Sequence, residues 1–150
     1  MTTRRFSATA LIQAPAQVVY DIIADYRAGH PSILPKPPFV SLAVERGGRG
    51  AGTVIRVQMR TLGRPVSYSA VVTEPEPGRV LVETNDNGYV SSFTVESVAA
   101  RSTNVTISTA VTRRSRLVAA LECWFLSRLL RPAYLRELDL LASVASKRAA

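Results

Sequence analysis

Residues 116–141 read RLVAALECWFLSRLLRPAYLRELDLL, and the architecture follows from this stretch. Its spacing predicts a helix from near Arg116 to about Ser146, apolar nearly all round in its first half. One stripe holds Leu117, Leu121, Trp124, Phe125 and Pro132. A second, at alternating three- and four-residue steps, holds Ala120, Cys123, Ser127, Leu130, Tyr134, Leu138 and Leu141. A helix apolar on two sides is expected to be buried on two sides. One stripe faces a sheet; the other meets the loop at 29–38, a partner subunit or a membrane surface. Pro132 removes a backbone hydrogen bond and is expected to kink the helix.

The sheet lies upstream. Arg5–Ile12 alternates as a strand, and Pro15 fits the first turn of a helix running to about Tyr26, with Val18, Val19, Ile22 and Ile23 on its apolar side. Four prolines between Pro31 and Pro38 impose a rigid loop. From Phe39 the period becomes two, giving strands at 39–45, 53–62, 66–73, 80–84, 89–96 and 104–112. Short turns such as Gly63-Arg64-Pro65 and Asn85-Asp86-Asn87-Gly88 join them, so neighbours are antiparallel. Parity points Ile55, Val57 and Met59 inward and Arg56, Gln58 and Arg60 outward. It likewise selects Tyr68, Ala70 and Val72; Val80, Val82 and Thr84; Ser91, Phe93 and Val95; and Val105, Ile107, Thr109 and Val111. An α+β protein results, a curved antiparallel sheet of about seven strands wrapped around the last helix, with 1–150 as one domain and a hollow between sheet and helix.

Composition narrows the function. With 47% hydrophobic and 20% charged residues the chain is globular. No continuous apolar run reaches the roughly 20 residues of a membrane span, and a cytoplasmic location is expected. The net charge of +8 is almost all arginine, scattered and without interleaved aromatics, so no nucleic-acid partner is expected. Arg113, Arg114 and Arg116 form the only tight cluster, and surface exposure is expected for it. One His and one Cys make no metal set, and no cofactor is expected. The glycine-rich run from Gly47 to Gly52 opens a strand, so it is a connector rather than a phosphate loop. Asp21 and Asp25 fall on the polar face of the first helix, where solvation accounts for them.

Ala14-Pro15-Ala16-Gln17-Val18, Asp25-Tyr26, Gly48–Thr53, Glu74–Arg79 and Thr103–Thr106 occur in this order before the long Leu/Arg-rich helix. Together they resemble the START and pollen-allergen helix-grip superfamily, most closely its bacterial polyketide cyclase/dehydrase-like group, over nearly the whole chain. The family often has Trp just after the first helix, where this chain has His30-Pro31. The loop from His30 to Pro35 is also similar to the coenzyme-Q-binding branch.

The resemblance implies a cavity for a hydrophobic or amphipathic small molecule or lipid, with His30 at its mouth. His30 is the one candidate base, and no catalytic residue is assigned. The expected lining is Tyr26, His30, Ile33, Val57, Met59, Tyr68, Val82, Ser91, Phe93, Ser127 and Tyr134. Tyr134 is favoured over Trp124 because small residues precede it on its stripe, while Trp124 and Phe125 fill solid core. A carrier or sensor without catalysis leads, since no nucleophile, metal set or cofactor loop is recognisable. A cyclase, aromatase or dehydratase type of enzyme is second, and an interaction module using the last helix on a membrane surface or partner is third. Both monomer and homodimer fit.

Overall fold

The computed structural model describes residues 1–150. The chain runs β1 (Thr2–Ile12), α1 (Ala16–Ala24), α2 (Gly29–Ile33), β2 (Phe39–Arg46), β3 (Val54–Thr61), β4 (Arg64–Glu76), β5 (Val80–Asn85), β6 (Val90–Ala99), β7 (Ser102–Arg113) and α3 (Arg116–Ala149). All seven strands form one antiparallel sheet in the order β1-β7-β6-β5-β4-β3-β2. Sequential hairpins build it from β2 to β7, and β1 closes the far edge against β7. Register shifts in β2, between Thr73 and Glu76, and between Ser97 and Ala99 bend the strands. The sheet curls around α3, which packs chiefly on β1 and β7. This is the helix-grip fold expected from the sequence.

The small helices are placed by specific contacts. The Asp25 carboxylate accepts the backbone N–H groups of Arg27, Ala28 and Gly29, capping the entry to α2. Burial opposes its ionisation, but these hydrogen bonds and the Arg49 guanidinium win and hold the carboxyl below its usual value. Asp25 is therefore structural rather than merely solvated. Gly29 is required by close approach: a Cβ there would stand 2.5 Å from the Ile22 carbonyl oxygen. That contact presses α2, which falls inside the expected rigid loop, onto α1 and turns His30 inward.

Two expectations fail in the packing. In β5 the inward residues are Leu81 and Glu83, not Val80, Val82 and Thr84. Directly opposed residues of antiparallel strands share a face. Glu83 pairs with buried Val72, and Leu81 with buried Phe93, whereas Val82 pairs with Thr73 and Ser92. Parity in so short a strand favours the apolar set, but the Tyr26 hydroxyl receives the Glu83 carboxylate inside and reverses it.

In α3 the Tyr134 stripe is buried through Cys123, Tyr134, Leu138 and Leu141, but the opposite stripe is open to solvent. Trp124 is 61% exposed and Phe125, Leu117 and Leu121 are exposed as well. Nothing packs on the outer face of the helix's first half, so Trp124 fills no core. The helix runs unbroken through Pro132, with Ser115 capping its start by accepting the Val118 N–H. Trp124→Ala is accordingly expected to change stability by about 0.5 kcal/mol or less, as for other surface substitutions. Chemical denaturation checks this; a loss of several kcal/mol would mean that the face is covered.

Candidate functional site

Two adjoining hollows lie between the sheet and α3. The outer one, about 260 Å³, is walled largely by apolar side chains from β3, β4 and α3, among them Met59, Leu62, Val66, Phe125, Leu129 and Leu130. The inner one, about 30 Å³, ends against His30, Glu83 and Glu137. Phe39, Tyr68, Ser91 and Tyr134 line both and stand at the neck where the two adjoin. A water needs about 10–15 Å³ by this measure, so the inner end has room for roughly two water-sized groups.

Buried polar side chains gather at the inner end. His30 is 2% exposed and stacks on Tyr26 at 4.5 Å between ring centroids, with Phe93 edge-on at 5.3 Å. Its Nδ1 lies 2.7 Å from the Ile23 carbonyl oxygen. A carbonyl only accepts, so Nδ1 carries the proton there and, in the neutral ring, Nε2 presents its lone pair to the cavity. Nε2 stands 3.7 Å from Glu83 Oε1 and 3.9 Å from Glu137 Oε1, gaps too long for direct hydrogen bonds. Tyr26 donates its hydroxyl to Glu83 Oε1 at 2.6 Å, which satisfies part of that buried carboxylate.

Glu137 is the anomaly. It is 2% exposed, and its Oε1 has no hydrogen-bond partner. Burial first, and then the nearby Glu83 charge, push its carboxyl well above the ordinary value, towards the neutral acid. Burial and the Glu83 carboxylate likewise raise the phenols of Tyr26 and Tyr68. At the neck, Tyr134 and Thr109 share a 2.6 Å hydrogen bond that continues to Ser91 at 3.0 Å. Burial raises the Tyr134 phenol to about 12 although both hydroxyls oppose the shift. The outer hollow holds a second orphaned polar atom, Asn85 Oδ1. No group of three His, Cys, Asp or Glu side chains is disposed to hold a metal ion.

Of the residues expected to line the cavity, Val57, Tyr68, Ser91, Phe93, Met59 and Tyr134 do so. His30 also lines it, but at the closed inner end rather than the mouth, because α2 folds it under the sheet. Tyr26 and Ile33 are buried and line neither hollow, though Tyr26 acts on the site through Glu83. Val82 faces away, and Ser127 is half-buried outside both hollows. The sequence reading missed Glu83 and Glu137. A signal existed for Glu137, which follows Tyr134 by three and precedes Leu141 by four on the buried stripe; Glu83 is turned inward by its register opposite Val72. Arg113, expected to be simply exposed, reaches Glu122 at 2.7 Å and lies over the Tyr89 ring, while Arg114 and Arg116 are exposed.

Comparison with known proteins agrees with this fold. No curated protein sequence matches the chain. Among solved structures it is similar to the KanY protein, at 26% identity and a TM-score of 0.73 over 99% of both chains. It is similar to the Zhui aromatase/cyclase from Streptomyces sp. R1128, at 18% identity and a TM-score of 0.79 over 99% of this chain and 97% of that one. A START superfamily protein from Mycobacterium smegmatis superposes at 15% identity and a TM-score of 0.68, covering 96% of this chain and 98% of the other. At such identities the last two speak to the fold alone. The family described as polyketide cyclase/dehydrase and lipid transport matches residues 3–146, nearly the whole chain, and the chain belongs to that family.

Proposed function

We propose that the protein binds an apolar small molecule bearing a carbonyl group in the two-part hollow and moves a proton on it, the elementary step of cyclisation and dehydration chemistry. The observation that carries this reading is Glu137: a buried carboxyl, pushed towards its neutral form, with one oxygen unpartnered beside a cavity end sized for a ligand oxygen. Buried polar atoms in folded proteins are almost always partnered, and an orphan at a cavity marks a place where a ligand or water belongs. The neutral acid donates to a carbonyl oxygen there. Nε2 of His30, with its other nitrogen committed to Ile23, takes the proton from the adjacent carbon, giving the enol. The apolar outer hollow holds the rest of the molecule, and Asn85 Oδ1 offers a second polar anchor. Two carboxyls and an imidazole gathered at the inner end support the enzyme reading over that of a carrier, which needs only apolar burial.

Deuterium incorporation at the α-carbon of an aryl methyl ketone in D2O, followed by NMR, tests it. The protein is expected to accelerate exchange over buffer, and Glu137→Gln to remove on the order of 100-fold or more of that acceleration, in the range of general acid–base contributions. Binding of the ketone without faster exchange would return the protein to the carrier class. Absence of binding would defeat both readings.

A further inference from the structure

The outer hollow opens beside the bare face of α3, and that surroundings has an unusual make-up. Phe125 and Leu129 belong both to the mouth and to a shallow exposed patch with Trp124 and Arg128. Across the mouth stands Leu62, 73% exposed at the tip of the β3–β4 hairpin. Leu62 has φ +52°, and it is the only non-glycine residue of the chain with positive φ. A bulky side chain is poorly suited to that left-handed conformation, where Asn, Asp or Gly is the low-strain choice. Leu62 therefore serves neither the turn nor the core, and a large apolar side chain is held out into solvent at a cavity entrance.

Charge around the mouth has one sign. Residues 60–67 and 113–128 contain Arg60, Arg64, Arg113, Arg114, Arg116 and Arg128, against a single carboxylate, Glu122, which Arg113 already occupies. Asp86, on the hairpin beside the mouth, is held by the Ser69 N–H. The Arg128 guanidinium sits 5.3 Å from the Trp124 ring centre, a basic group over an amphipathic aromatic.

We propose that this mouth docks on an anionic lipid bilayer, with Leu62 on one side and Trp124 and Phe125 on the other entering the headgroup boundary while the arginines meet lipid phosphates. Exposed Trp, Phe and Leu on a helix with a basic flank are what such a surface selects. A second copy of this chain would bring arginines against arginines, and like-charge juxtaposition opposes it. An acidic protein would have to match two separated apolar ridges with an open cavity between them, whereas a fluid bilayer needs no such match. An apolar ligand would then pass between lipid and cavity without crossing water. The docking stands independently of proton transfer at the inner end.

Trp124 is the only tryptophan, so its emission reports the patch directly. Phosphatidylcholine vesicles containing phosphatidylglycerol should shift it to the blue and carry the protein down on sedimentation, less so as salt is raised. Reversing Arg114, Arg116 and Arg128 to Glu should weaken partitioning at least about tenfold, given the attraction of each basic group to an anionic surface. Leu62→Asn should weaken partitioning several-fold while leaving the melting temperature unchanged or higher, since Asn accepts the left-handed turn. The proposal is overturned if these vesicles leave the emission unmoved at low salt, or if pure phosphatidylcholine binds equally well. It is also overturned if soluble polyglutamate shifts Trp124 and vesicles do not, which would mark an acidic protein partner, or if the shift follows protein concentration without lipid, which would mark self-association.

Discussion

Replacing Glu137 by Leu is expected to raise stability at neutral pH by about 1–3 kcal/mol, the cost of a buried polar atom left without a partner. The carboxyl sits in the core with one oxygen unpartnered, next to Leu138 and near a second carboxylate. Its pH dependence identifies the cause. The folded state raises this carboxyl well above its ordinary value of 4.5, so the folded protein holds the proton more tightly than the unfolded chain. The stabilisation that the protonated group contributes is fully present below that ordinary value and is lost as pH rises towards the raised one. Between those limits the wild type should lose stability relative to Glu137→Leu by up to about 1.4 kcal/mol per pH unit. Urea denaturation of both proteins at a series of pH values from weakly acidic to weakly basic measures the difference. Curves that run parallel would show Glu137 ionised and hydrated in the folded state, and the acid in the proposed mechanism would be lost with it. Glu137→Leu should also abolish ketone exchange, the usual opposition between a stable core and a working site.

Most of the scaffold is legible because it rests on short-range physics. The change of period at Phe39 and the turn residues between strands place β2–β7 close to their observed bounds, and the apolar run after Arg116 gives α3. The site is harder for two separate reasons. A carboxylate's default is water, so Glu83 and Glu137 read as surface until the register sets one opposite Val72 and helical spacing puts the other beneath Tyr134. The partner that receives Glu83 is Tyr26, 57 positions away in sequence, and no local pattern encodes such a pairing. The roll of α3 fails differently. Periodicity identifies both apolar stripes correctly, but an apolar stripe says only that water is unfavourable there. It does not say whether the protein itself supplies the cover. Trp124 and Tyr134 are alike in residue statistics and opposite in surroundings, one in solvent and the other stacked on Phe6 at 5.8 Å.

His30 shows how a buried position changes the expected phenotype. As a loop residue at a cavity mouth it would tolerate alanine with a melting temperature shifted by only a few degrees. In the structure its ring is packed between Tyr26 and Phe93, and its Nδ1–H satisfies the Ile23 carbonyl. Truncation removes an aromatic-sized group from the core and orphans a buried acceptor. Because the void is polar and water enters it, the loss should settle near about 3 kcal/mol, or about 6–12 °C for a domain of this size. Two further variants separate architecture from chemistry. The amide nitrogen of His30→Asn reaches roughly where Nδ1 stands, so that variant should recover part of the stability while remaining inactive in ketone exchange. His30→Gln extends towards the carboxyls and leaves Ile23 unpaired, so it should be the less stable of the two. Thermal melts and ketone exchange on the same three proteins decide between the roles. If His30→Asn restores exchange along with stability, the imidazole only holds α2 in place, and the proton acceptor must be sought in Glu83.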